Sequence, residues 1–140
     1  SAAIQTTWGD EGPGLTPAAD VAALVKAAED KVAPLVNQVI GTAADYGLPV
    51  YVTENGIADA DDDQRPAYLN DHLRQLLLAI DEDGADVRGY FHWSLMDNFE
   101  WVYGYGPKFG LYSFDPRTLE RIPRPSAGLY AQIANENALP

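Results

Sequence analysis

An α/β fold with a parallel sheet is predicted by three features of this 140-residue chain. Short apolar runs, LPVYVT at 48–53 and VRGYFHW at 87–93, alternate with longer stretches whose apolar residues recur at helical spacing. The order is helix, strand, helix, strand with short connections, the grammar of a βα-repeating sheet. The first run is apolar and partly β-branched throughout, which suits a strand buried on both faces.

Residues 1–15 are rich in Gly, Thr and Pro and read as a loop. Thr16-Pro17 resembles an N-cap followed by a proline at the first helical position. Val21, Leu24, Val25, Ala28, Val32, Leu35, Val36, Val39 and Ile40 then recur at helical spacing, with Pro34 expected to kink or split the helix. The helical segment therefore covers 16–46, and Gly47 follows as a C-terminal stop. The strand at 48–53 comes next. ADADDDQRP, 58–66, is an acidic loop, and Pro66 opens a helix whose buried face carries Leu69, Leu73, Leu76, Leu77 and Ile80. Gly84 ends it, and the second strand runs to Trp93. LMDNFEWVYGYGPKFG is a long aromatic loop. FGLYSF, 109–114, alternates like a strand, with 119–122 returning as its hairpin partner after the turn at 115–118. Ser126 is expected to cap a last helix with Leu129, Tyr130, Ile133 and Ala134 on one face.

Composition narrows the function. The formal net charge is −12, so nucleic acid and anionic membrane surfaces are poor partners. Asp outnumbers Glu and Lys is scarce, which fits a salty habitat; the plainer reading is a soluble acidic surface. Without cysteine there is no disulfide or thiolate metal site, and His72 and His92 lack metal-ligand spacing. No segment reaches transmembrane length. SAAIQTTWGDEGPG has neither a basic start nor an apolar signal core. It reads as a loop or as a chain that begins mid-protein, and the expected location is cytoplasmic.

The chemistry gathers at the ends of the two strands, where parallel βα folds place active sites. Glu54 ends the first strand; it is either a functional carboxylate or a satisfied polar group at a strand end. Trp93 ends the second, followed within eight residues by Asp97, Asn98, Glu100 and Trp101. Carboxylates and an amide bind sugar hydroxyls, and indole rings stack on an apolar sugar face. Tyr90, Phe91 and Phe99 are expected in the core; the flanking carboxylates make this less fitting for Trp93 and Trp101. Two carboxylates at neighbouring strand ends suggest glycoside hydrolysis, with the working pair left open between Glu54, Glu100 and other acids.

VYVTENG, GYFHWSLMDNFEW and KFGLYSFD together resemble the C-terminal part of glycoside hydrolase family 1, the β-glucosidase and β-galactosidase family. The resemblance runs from about Tyr46 to Pro140 and is closest to the archaeal-type branch; residues 1–45 resemble the family only weakly. It implies that the chain is one partial-barrel domain, 1–140, holding the last two βα units and a hairpin of a (β/α)8 barrel. It also implies a retaining β-glycosidase with Glu54 as nucleophile, and Trp93, Glu100, Trp101 and Phe109 around the glycone. Asn55, Asp97 and Asn98 match the motifs as supporting residues. The phospho-glycosidase branch places a Ser and a Lys where this chain has Glu100 and Pro107. A carboxylate repels a phosphate, so an unphosphorylated β-D-glycoside or oligosaccharide is the expected substrate. No cofactor and no metal are implied.

The family's acid/base motif, N-E-P, is absent; NEN at 135–137 lies at the end of the last helix. The family's upstream Gln, His-Trp and Tyr motifs are absent too. Two parallel strands cannot close a barrel and leave their edges exposed. A complementary polypeptide, or association with further copies, is therefore expected to complete it. The alternative is a catalytically incomplete carbohydrate-binding or structural fragment.

Overall fold

The computed structural model describes residues 34–140. The expected loop at 1–15 and the first half of the expected helical segment lie outside these residues. Residues 34–44 are helical (α1), and the chain then turns at Gly47, whose φ of 61° favours glycine. There follow β1 (Val50–Asn55), α2 (Arg65–Asp83), β2 (Val87–His92), a single 3-10 turn (Trp101–Tyr103), β3 (Tyr112–Phe114), β4 (Arg121–Pro123) and α3 (Pro125–Glu136). β1 and β2 pair in parallel, and β3 and β4 form an antiparallel hairpin in register Ser113↔Ile122.

The sheet is covered on one face. Ile40 from α1, Leu76 and Ala79 from α2, and Ala85 form a buried cluster, against which Val50, Val52, Val87 and Tyr90 pack. Fully burying one such aliphatic side chain stabilises the fold by about 1.5–3 kcal/mol. The other face is bare: Tyr51 is 54% and Phe91 57% exposed. The expectation of a strand buried on both faces is therefore corrected. The described chain supplies helices for one side of the sheet and nothing for the other.

Two further expectations change. Phe91 and Phe99 are exposed rather than in the core, whereas Tyr90, on the covered side, is packed against it. Leu77 is exposed, and the buried stripe of α2 turns instead through Leu69, Leu73, Leu76 and Ala79, with Arg65 and His72 included. Leu77 borders an open groove of about 350 Å³ between α2, β2 and α3. Tyr130, Ile133 and Ala134 of α3 line the same groove.

The acidic loop is not simply a solvated one. Asp59 and Asp62 are buried. The Asp59 carboxylate accepts from the backbone N–H of Gln64 (3.0 Å) and Arg65 (2.9 Å), satisfying free donors at the start of α2. Asp62 does the same for α3, accepting from the Ser126 N–H and hydroxyl, both at 2.7 Å. Ser126 is therefore not the cap. Arg124 occupies that position, Pro125 opens the helix, and Ser126 donates to a carboxylate 64 residues away. Arg65, fully buried, pairs with Asp62 and donates to the carbonyls of Asp59 (2.6 Å) and Lys108 (2.7 Å). One guanidinium thus ties the loop after β1 to the loop after β2.

Candidate active site

The register of the parallel pair places Glu54. Val52 lies opposite Tyr90 and Asn55 opposite His92, so β1 spends three steps where β2 spends two. This is a bulge at Thr53-Glu54. Without it, strict alternation would put Glu54 on the helix-covered side with Val50 and Val52. With it, Glu54 is exposed and Asn55 takes the covered side.

Asn55 is held there by three side-chain bonds. Its amide nitrogen donates to Tyr68 Oη (3.1 Å) and meets His72 Nδ1 (2.8 Å); its amide oxygen accepts from Tyr90 Oη (2.7 Å). Its backbone carbonyl accepts from the Trp93 N–H at 2.9 Å, joining the two strand ends. Gly56 comes next, so close to the Trp93 carbonyl that any side chain there would overlap it. The Trp93–Ser94 peptide bond is cis.

Beyond Trp93 the chain is pinned from several sides. Ser94 N–H donates to the Phe109 carbonyl (3.2 Å), and Leu111 N–H donates back to Ser94 (2.9 Å). Asp97 is buried and accepts two bonds from Arg124 (3.1 and 3.0 Å) and one from the Gly110 N–H (3.0 Å). Asn98 accepts from Ser94 Oγ (3.2 Å) and donates to Glu100 Oε2 (2.7 Å), which fixes the Glu100 carboxylate. Trp101 follows at a φ of 50° and is 81% exposed. A left-handed backbone at a bulky residue is sparsely populated and is kept only where neighbours dictate it. Here the Glu100 N–H bonds to the Gly104 carbonyl (2.7 Å) and closes the turn. Phe109 and Trp93 are half-buried.

The structure thus places the sequence-derived candidates in two groups at one end of the sheet. Glu54 and Asn55 end β1, while Trp93, Asp97, Asn98, Glu100, Trp101 and Phe109 belong to the loop after β2. Sequence reasoning passed over His72, Tyr68, Arg65 and Arg124. The i,i+4 spacing of Tyr68 and His72 was the available signal. Both histidines are biased neutral. Burial lowers the His72 pKa despite Asp71, and burial together with Arg65 brings His92 down to about 4. Among the described residues, no cluster of three or more His, Cys, Asp or Glu has a metal-binding arrangement. No helix among them is long and apolar enough to cross a membrane.

Residues 28–139 match the model of glycosyl hydrolase family 1. The chain belongs to that family. It is 53% identical over 95 residues to a β-galactosidase of Sulfolobus acidocaldarius, covering 68% of this chain and 19% of that protein. A β-galactosidase of Pyrococcus woesei is 50% identical, over 67% and 18% respectively. Among solved structures, a β-glycosidase from Pyrococcus horikoshii superposes with a TM-score of 0.69 at 50% identity, covering 73% of this chain and 24% of that one. The family 1 β-glucosidase of Thermotoga maritima gives 0.69 at 34%, over 77% and 27%. The chain spans about a fifth of the length of these curated relatives. Its fold is accordingly a portion of a (β/α)8 barrel: the described residues form two βα units and a hairpin, without closure among them.

Proposed function

We propose that this chain supplies the nucleophile, Glu54, and part of the glycone subsite of a retaining β-glycosidase acting on unphosphorylated β-D-glycosides. The observation that carries the reading is the shared strand end. A bulge turns Glu54 out from β1 beside the loop bearing Trp93, Glu100 and Trp101. Family membership and the β-galactosidase and β-glucosidase names of the relatives support it.

In this mechanism the Glu54 carboxylate attacks the anomeric carbon. The glycosidic C–O bond breaks as a second carboxyl, about 5 Å away, protonates the leaving oxygen. Water then cleaves the glycosyl ester with net retention, the second carboxyl now acting as base. Glu100 and Asp97 do not suit that second role. Glu100 is tethered to Asn98, and Asp97 is buried against Arg124. The acid comes instead from polypeptide beyond the described residues, the same polypeptide that would cover Tyr51 and Phe91 on the bare sheet face. Trp93 and Trp101 would stack on the sugar, and Glu100 would hold its hydroxyls.

The bare sheet face also favours a second reading, a fragment that binds sugar through Trp93, Glu100 and Trp101 without cleaving it. Aryl-glycoside turnover by the native particle containing this chain separates the two. The enzyme reading expects turnover that Glu54→Gln lowers by roughly 10⁴-fold or more without loss of fold. Sugar binding seen by calorimetry with no turnover supports the second reading, and full turnover by a pure Glu54→Gln preparation contradicts the first.

A further inference from the structure

The Glu54 bulge exists because Asn55, and not Glu54, takes the helix side of β1. Two of the three groups that hold Asn55 there, His72 and Tyr68, lie outside the motifs of the strand ends. His72 and Tyr68 are one turn apart on α2, with their rings stacked at 3.8 Å between centroids. Both aim a polar atom at the Asn55 amide nitrogen, and Tyr90, from β2, donates its hydroxyl to the amide oxygen. Two amide protons and one oxygen lone pair are thereby engaged, so the side chain has one orientation. His72 is almost wholly buried, and its Nε2 has no partner among the described residues. Its buried polar contact is therefore spent on Asn55.

We propose that His72, supported by Tyr68 and Tyr90, is a positioning residue for the nucleophile: by holding the Asn55 amide it locks the bulge that turns Glu54 outward. The inference rests on Glu54 being the nucleophile. His72 touches no substrate and acts through Asn55. With the Asn55 amide nitrogen as donor, the neutral ring accepts at Nδ1. Asp71 lies on the same helix, Tyr68 stacks on the ring, and Tyr90 faces the group from β2. When the acceptor is lost, β1 can relax toward regular alternation, which turns Glu54 toward the helix layer and away from the sugar.

The test is steady-state kinetics on the active particle, with thermal unfolding as the check on folding. His72→Phe keeps an aromatic ring against Tyr68 and removes the acceptor. It is expected to lower kcat on the order of 10–100-fold, since small misplacements of a reacting group cost that much. KM should stay within about twofold, because the sugar-binding loop is untouched. His72→Asn, which retains an acceptor near the Nδ1 position, should recover most of the rate. Tyr90→Phe, lacking only the hydroxyl, should lower kcat less, again without raising KM. Folded His72→Phe with wild-type kcat overturns the inference and leaves Glu54 as the nucleophile. So does a kcat loss that His72→Asn fails to recover. If His72→Phe does not fold, Tyr90→Phe decides by the same split, and an unchanged kcat there overturns the inference. A wild-type particle whose turnover survives Glu54→Gln removes both readings.

Discussion

The strand end at Glu54 and the loop at 95–105 leave the same end of the sheet but are held differently. Behind Glu54, every polar atom of the Asn55 side chain is bonded within the chain, and Arg65 stitches the following loop to α2 and to Lys108. The aromatic loop is clamped at its base by Asp97 and Arg124, yet its tip is bare. Phe99 is 60% exposed, and Trp101 more so. A reacting group must be fixed before substrate arrives, because misplacement is costly. On the proposed function, stacking rings can wait for the sugar and for polypeptide beyond the described residues to cover them.

That contrast can be broken at either end. Arg65→Leu should do the most damage. It leaves Asp62 buried without its cation and cuts the tie to Lys108, costing roughly 3–5 kcal/mol, read by denaturant unfolding. A cost below about 1 kcal/mol would show that the network behind β1 is dispensable. Asp97→Ala should cost about 1.5–3 kcal/mol by releasing Arg124, and it should raise KM as the loop loosens. Trp101→Ala should leave stability within about 0.5 kcal/mol, since the ring is exposed in the chain. Its sugar affinity should drop by an amount worth about 0.5–1.5 kcal/mol, measured by calorimetry. A stability loss as large as that of Arg65→Leu would mean the ring is packed, not presented.

A separate effect is in pH. His72 and His92 have pKa values below the ordinary 6.5, so the unfolded chain binds their protons first as pH falls. Their contribution to stability is complete above about 6.5 and is lost as pH drops toward 4, the value reached by His92. Unfolding midpoints should decline across that window, and His92→Phe should flatten part of the decline. An unchanged slope in that variant would count against a neutral, buried His92.

Much of this architecture is legible in the sequence because it is local. Apolar runs mark the strands, Gly84 stops α2 at a φ of 68°, and Pro66 opens that helix. The misreadings share one physical origin. Phe91, Phe99 and Leu77 are apolar and so were expected in the core, but burial depends on what lies opposite, and that is absent from the described chain. Ser126 looked like a cap because a helix-start signal cannot reveal that Asp62 reaches it from 64 residues away. The bulge at Glu54 escaped for a similar reason: register is a property of two strands, and the side chains that fix it come from α2 and β2.

On the proposed function, Glu54 becomes covalently bonded to sugar. A 2-deoxy-2-fluoro glycoside with a good leaving group, incubated with the native particle and followed by peptide mass spectrometry, tests it directly. A nucleophilic Glu54 predicts one added fluoroglycosyl mass on the peptide containing Val50–Asn55, mapped to Glu54 and lost in Glu54→Gln. Label on Glu100, Asp97 or another polypeptide, with Glu54 unmodified, would contradict it.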